Sequence, residues 1–321
     1  MFTAPAFASV LFVFAVHLQR TVSESEEIIV RGQKCPKVSG TCTGEWVSFQ
    51  IYGRSYNDVG RPVHVANETS NITATGFNRD LATAILIHGF ADSSRSFLMV
   101  DMKNELLRHS NMQVVLMDWS KLVPGGCYFT SVYNVQYAGR CLSDLILSMD
   151  LPSSGLHVIG FSLGGHVPAL AADFLAPYKI PRITGLDPAL PLFWGYFSQR
   201  RLRKDDGVFV DVIHTNAFVE GHFLPLGHVD FFVNGGIIQP GCGGSLLDKI
   251  GCSHARSPMY FNESINSEVG FWGCTAKYRN IESSCKPEEI KWLMGYHVDN
   301  NLRGIVILKT ASNPPFALGK P

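Results

Sequence analysis

Residues 160–164, Gly-Phe-Ser-Leu-Gly, set Ser162 between two glycines, each two positions away. A serine hydroxyl becomes an acyl carrier when a buried strand turns sharply into a helix. Glycines at those two positions leave room for such a turn, and the hydroxyl then projects from the sheet. The flanks suit this: "LHVIG" is strand-like, and "LGGHVPALAADFL" can carry a helix with Pro168 in its first turns. A serine here can equally cap that helix, and the five residues alone leave both roles open. Acyl transfer also needs a base, an acid to orient it, and donors for the oxyanion. On an α/β scaffold the chain order is serine, acid, histidine. Asp187 follows in "RITGLDPALP", at the end of a strand-like run, and His254 in "CSHARS", read as a loop. Separately, an Asp-Pro turn and a surface histidine account for these two. Together and in order they favour a triad in which His254 deprotonates Ser162 and Asp187 orients the imidazole. The backbone N–H of Leu163 is one candidate oxyanion donor. That of Phe90, closing the apolar run "ILIHGF", is the other, and His88 is read as shaping that loop.

These groups need a frame. Ala84–Ile87, Gln113–Met117, His157–Gly160, Arg182–Leu186, Val208–Ile213 and Val229–Val233 read as strands. They alternate with helix-length segments at Arg95–His109, Val132–Met149 and Leu163–Leu175, and Gly304–Lys309 reads as a late strand. The alternation predicts an α/β fold, a mostly parallel central sheet flanked by helices, in one domain over 35–321.

Lysine plus arginine and aspartate plus glutamate both number 27, so the formal net charge of zero gives no reason to expect a nucleic acid. Residues 5–16, "PAFASVLFVFAV", are too short to span a bilayer. The first 20 residues are read as a signal peptide, although no lysine or arginine precedes the apolar run. Eight cysteines and sequons at Asn67, Asn71 and Asn262 agree with a secreted, glycosylated protein. The cysteines fall in near pairs: Cys35 with Cys42, Cys127 with Cys141, Cys242 with Cys252, and Cys274 with Cys285. Eight cysteines allow 105 pairings, of which neighbour pairing is the simplest. Neither a C-x2-C nor an H-E-x-x-H spacing occurs, so no metal is expected.

From about Cys35 onward the chain resembles the pancreatic-lipase-like family. The resemblance rests on "ILIHGF", "VVLMDWS", "HVIGFSLGGHV", "RITGLDPALPLF", "FVDVIHT", "GHVDFFVNGG", "QPGC" and "CSHARS", in family order. It implies an α/β-hydrolase without cofactor, with Ser162, Asp187 and His254 as triad and Phe90 and Leu163 as oxyanion donors. It also implies the sequential cysteine pairing. Only 67 residues follow His254, so the β-sandwich domain of the digestive relatives is not expected, nor a colipase partner. In this the chain looks like the single-domain arthropod members, venom phospholipases among them. Nine residues, "GGSLLDKIG", separate Cys242 and Cys252, where triacylglycerol lipases of the family carry a long lid. A nine-residue loop is too short for a flap of two or three amphipathic turns. Gly243, Leu246, Leu247 and Ile250 make up this lid loop, and residues 216–226 form a second short loop. Both imply a phospholipase A1 acting on the sn-1 ester at a membrane or micelle surface. The alternatives are a triacylglycerol or galactolipid lipase and, in another class, a non-catalytic yolk-like storage protein, against which the retained triad argues. Where family members hold calcium, Asp206 matches one carboxylate but Arg203 replaces another, so no calcium is expected. Asp211 and Asp230 are weaker acid candidates than Asp187. His166, His214, His222 and His228 are read as packing or lining groups. Phe193, Trp194, Tyr196 and Phe197 are read as packed in the interior rather than facing a membrane.

Overall fold

A computed structural model describes residues 23–54, 59–152 and 155–320; the expected signal peptide lies outside the described residues. At the N-terminal side come β1 (Glu24–Val30), β2 (Gln33–Ser39), β3 (Ser48–Gly53), β4 (Arg61–Val63), β5 (Val65–Ala66) and β6 (Thr69–Ser70). The alternating part follows: β7 (Ala82–Ile87), α1 (Phe97–His109), β8 (Met112–Asp118), α2 (Tyr128–Met149), β9 (Leu156–Phe161), α3 (Val167–Leu175) and β10 (Ile180–Leu186). Next are β11 (Gly207–His214), β12 (Val229–Val233), α4 (Leu246–Ser264), β13 (Phe271–Ala276), β14 (Trp292–Met294) and β15 (Gly304–Leu308).

One eleven-stranded sheet runs β14-β13-β15-β12-β11-β10-β9-β7-β8-β3-β4. Its centre, from β15 through β8, is parallel, and antiparallel strands close both edges. This is the mostly parallel α/β sheet expected from the alternation, in the α/β-hydrolase arrangement that the resemblance implies. The central strands are buried on both faces, so their residues divide between two cores with a period of two. Ile85, Ile87 and Val158 join Val135 and Leu142 of α2 and Leu170 of α3. Ala84, Leu86 and Ile159 join Met102 and Leu106 of α1 and Tyr260 and Phe261 of α4.

Two of the four expected disulfides are corrected. Cys242 bonds Cys252 and Cys274 bonds Cys285 as neighbours, but Cys35 bonds Cys127 and Cys42 bonds Cys141. Cys127 stands at the N-cap of α2 and Cys141 lies within that helix. Fourteen residues of helix rise about 21 Å, whereas a disulfide requires Cα atoms within roughly 7 Å. The two therefore reach separately to β2 and the segment after it, fastening the N-terminal hairpin along α2. A second correction concerns residues 243–254. The stretch is no free loop: from Leu246 it is the start of α4, and His254 lies within that helix. Ser245 caps it, its hydroxyl accepting from Asp248 N while the Asp248 carboxylate accepts from Ser245 N.

Candidate active site

Strand β9 ends at Phe161, and Ser162 opens a tight 3-10 turn, Ser162–His166, that leads into α3. Ser162 has φ +54°, the left-handed region that costs a residue with a Cβ about 1 kcal/mol or more. The flanking glycines meet a packing demand. A Cβ on Gly160 would strike the Gly164 carbonyl oxygen, and one on Gly164 the His88 carbonyl oxygen. The cap reading of Ser162 fails: the turn has Phe161 and α3 has His166 at the N-cap, neither with a side-chain capping bond.

Asp187 follows the C-terminal end of β10, fully buried and also left-handed, with φ +44°. Its Oδ1 accepts from the backbone N–H groups of Thr215 (2.9 Å) and Asn216 (3.1 Å). Its Oδ2 lies 2.7 Å from His254 Nδ1. A carboxylate held in this way takes the Nδ1–H as donor, which leaves Nε2 with its lone pair as a base. The His254 ring sits 4.8 Å from that of Phe161, the residue before the serine. Gly221 makes the arrangement possible, because a Cβ there would occupy the space of the Asp187 carboxylate. Gln239, which the sequence reading passed over, ties α4 to this region. Its amide donates to Thr215 O (2.9 Å) and Val233 O (2.8 Å), and its N–H to Ser253 Oγ (3.0 Å).

The serine turn and the acid loop are bonded to each other. Ala189 N donates to Ser162 O (3.1 Å), and His166 Nε2 donates to Ala189 O (2.7 Å). Leu202 N donates to His166 Nδ1 (3.0 Å), so both ring nitrogens are engaged by a neutral imidazole. Burial pushes His166 down to about 3. His166 thus joins segments far apart in sequence, which goes beyond the local packing expected of it.

The loop with Phe90 lies against the serine, a Cβ on Gly89 falling 2.9 Å from Ser162 Cβ. His88 holds that loop. Its Nε2 accepts from Trp119 N (3.1 Å), its Nδ1 donates to Gly89 O (2.9 Å), and its carbonyl accepts from Trp119 Nε1 (2.9 Å). Burial lowers its pKa and keeps it neutral, a positioning role in line with the sequence reading. The Phe90 ring meets Tyr128 edge-on at 5.1 Å, and Tyr128 OH donates to Pro191 O (3.1 Å). Leu163 is buried directly after the serine.

The rival acids have other partners. Asp211 takes Arg182 at 2.9 and 3.2 Å and Thr184 at 2.9 Å. Asp230 takes His214 Nε2 and Leu226 N, each at 2.8 Å. His228 accepts from Val210 N (3.1 Å). His222, lowered to about 4 chiefly by burial, accepts from Leu224 N (3.1 Å). Arg203 N–H donates to Asp206 Oδ2 (2.7 Å), its guanidinium reaches Asp206 and Asp173, and burial raises Asp206 to about 6. Among the described residues no cluster of three or more His, Cys, Asp or Glu is placed to hold a metal ion.

On α4, Leu247 and Ile250 precede His254 by seven and four residues, which puts all three on one helix face. Leu246 and Leu247 are 70% and 79% exposed, Ile250 is half-buried and Gly243 exposed. The aromatic cluster divides and so corrects the expectation of interior packing: Phe193 and Phe197 are buried, but Trp194 and Tyr196 are 60% and 90% exposed. The segment turns outward between Phe193 and Phe197, so the rings at its two ends reach the interior and the two between them face solvent.

The family model described as Lipase matches residues 16–316. Mouse pancreatic triacylglycerol lipase is 34% identical over 255 residues, covering 70% of this chain and 53% of the relative. Bovine phospholipase A1 member A is 36% identical over 213 residues, covering 63% and 46%. Human inactive pancreatic lipase-related protein 1 is 35% identical over 251 residues, covering 69% and 52%. The chain spans about half the length of the curated relatives it matches. A serine turn, a buried acid bonded to a histidine, and an abutting His-Gly-Phe loop thus coincide with a match along most of the sequence: the chain belongs to the pancreatic lipase family.

Proposed function

We propose that the protein is a serine esterase acting on carboxylic esters of lipids, by preference the sn-1 acyl ester of glycerophospholipids. The observation that carries this reading is the 2.7 Å bond between His254 Nδ1 and the buried Asp187, beside a left-handed serine. In the proposed mechanism His254 Nε2 takes the Ser162 proton as Oγ attacks the ester carbonyl. The backbone N–H groups of Phe90 and Leu163 receive the oxyanion. As the intermediate collapses, the imidazolium protonates the departing glycerol oxygen. Water, deprotonated by the same imidazole, then cleaves the acyl-enzyme. Asp187 stabilises the imidazolium in both halves without accepting its proton.

The phospholipid preference is supported by two short segments, 216–226 and 243–251, which leave room for a polar headgroup beside the ester. Triacylglycerol or galactolipid hydrolysis is the second reading, supported by the mouse lipase relative. A non-catalytic storage role is the reading from another class. Secretion, with residues 1–20 as signal peptide and 35–321 as the lipase domain, is part of the proposal. It is supported by four disulfides, and among the described residues no helix is long and apolar enough to cross a membrane. The test incubates purified protein with phosphatidylcholine vesicles and with a triglyceride emulsion, beside Ser162→Ala. Loss of roughly 10⁶-fold in fatty acid release is expected for the variant. Equal release from variant and wild type would overturn the catalytic reading. Turnover of triglyceride with none of phospholipid would reverse the substrate preference.

A further inference from the structure

After the Asp187 loop the chain reads Leu192-Phe193-Trp194-Gly195-Tyr196-Phe197, followed by Arg200-Arg201-Leu202-Arg203-Lys204. The exposed Trp194 ring lies 4.7 Å from Phe223, which stacks at 4.9 Å on Phe218, itself 52% exposed. Tyr196 meets Phe197 edge-on at 4.9 Å, and Phe197 meets the exposed Phe129 of α2 at 6.3 Å. One cation is set onto this face. Arg200 lies over Phe197 (5.3 Å) and over Tyr133 (5.7 Å), one turn beyond Phe129 on α2.

Two physical facts single this face out. Large aromatic rings in contact with one another are normally buried, and here four of them, Phe129, Trp194, Tyr196 and Phe218, face solvent. The neighbouring positive charge is also uncompensated. Arg203 is engaged by Asp206 and Asp173, but Arg200 and Arg201 have no carboxylate partner within ion-pair distance among the described residues. Arg200 Nη1 and Arg201 Nε are buried without an acceptor, and Arg201 Nη1 donates to Ser198 O (3.2 Å), so each half-buried guanidinium keeps its full charge beside the rings. In a chain of zero net charge this is a local surplus. The face adjoins the reacting centre as well, since Tyr128 joins Pro191, at its edge, to the Phe90 ring.

We propose that this face docks on an anionic phospholipid membrane. Trp194, Tyr196, Phe129 and Phe218 enter the headgroup layer, where amphipathic rings are most stable. Arg200, held on the faces of Phe197 and Tyr133, and Arg201 beside it meet the lipid phosphates. The inference rests on the lipid-ester reading above and adds to it the charge of the surface on which the enzyme works. A lipid surface fits the arrangement better than a protein partner, because the exposed rings lie on three separate segments with a cation set among them.

The test uses the Ser162→Ala protein, so that binding is read without hydrolysis and the outcome stands whether or not the phospholipase reading does. Partition is measured by sedimentation onto phosphatidylcholine vesicles and onto vesicles that also contain phosphatidylglycerol. About fivefold tighter binding per engaged cation, roughly 25-fold in all, is expected on the anionic vesicles, and high salt removes it. Arg200→Gln with Arg201→Gln abolishes the preference, whereas Lys at both positions keeps it. Trp194→Ser with Tyr196→Ser weakens binding to both kinds of vesicle. A thermal melt identifies any variant that is not folded, and the lysine pair then carries the comparison through salt dependence alone. Equal partition onto neutral and anionic vesicles overturns the proposal. So does binding that survives the arginine and aromatic changes but is lost with Leu246→Ser and Leu247→Ser, which would place docking on the start of α4.

Discussion

Gly221→Ala isolates the contribution of a residue that touches no substrate. The new Cβ would overlap the Asp187 carboxylate, which has no free direction to retreat. Oδ1 is fixed by two backbone N–H groups, Oδ2 by His254, and the side chain is fully buried. The carboxylate must therefore give up one of these bonds or push His254 aside. A displacement of about 1 Å in a catalytic group costs on the order of 100-fold in rate, or about 2.7 kcal/mol of barrier. Complete loss of the orienting acid costs on the order of 10⁴-fold, so kcat should fall by roughly 10²- to 10⁴-fold. The assay is kcat on a soluble short-chain ester, which removes any effect of surface binding. A second arm makes the same change in Asp187→Ala, where the carboxylate is gone and the Cβ has space; there it should cost nothing further in rate. A single variant that retains kcat within twofold while melting like wild type would show that the Asp187 carboxylate does not depend on the space at Gly221. The same holds if the two changes multiply.

Three other outcomes follow from the structure. His166 is neutral in the fold, burial having pushed it to about 3, and becomes protonated on unfolding below its ordinary value of about 6.5. Its contribution is thus present above pH 6.5 and is lost at about 1.4 kcal/mol per pH unit as the pH falls toward 3. Asp206, raised to about 6, works in the opposite sense. Urea titrations of the Asp206→Asn protein between pH 7 and 5 should therefore show the decline, and a flat profile would contradict it. Serine at both Cys42 and Cys141 opens a bridge spanning 99 residues and should cost about 4.7 kcal/mol; the same change at Cys242 and Cys252, ten residues apart, should cost about 2.8. Denaturation of the two double variants in parallel checks the ranking. Glycopeptide mapping should find sugar at Asn67 and Asn71, both exposed, and none at Asn262. Asn262 is in α4, where its amide nitrogen bonds Asp101 and its Oδ1 is buried.

The parallel sheet was legible because each central strand is buried on both faces and so appears as a short apolar run between helix-length segments. The turn at Ser162 was legible because close backbone approach at Gly160 and Gly164 leaves little but glycine possible there. What was missed depends on distant partners. Strand β3 pairs at an antiparallel edge, where half-buried residues alternate with buried ones and the apolar run is broken. The helical state of residues 246–254 comes from a capping box and from the core contacts of Tyr260 and Phe261 farther along the same helix.

By itself the sequence determined the fold class, the order of serine, acid and histidine, and the charge balance, since each is written in local pattern or count. Only the tertiary structure decided that Cys35 and Cys42 reach across to α2. It alone decided that Gly221 yields its space to Asp187, and that Trp194 and Tyr196 face solvent beside two arginines that no carboxylate pairs among the described residues. Those facts depend on which residues meet after the chain has closed on itself, and spacing along the chain does not encode distance across a sheet.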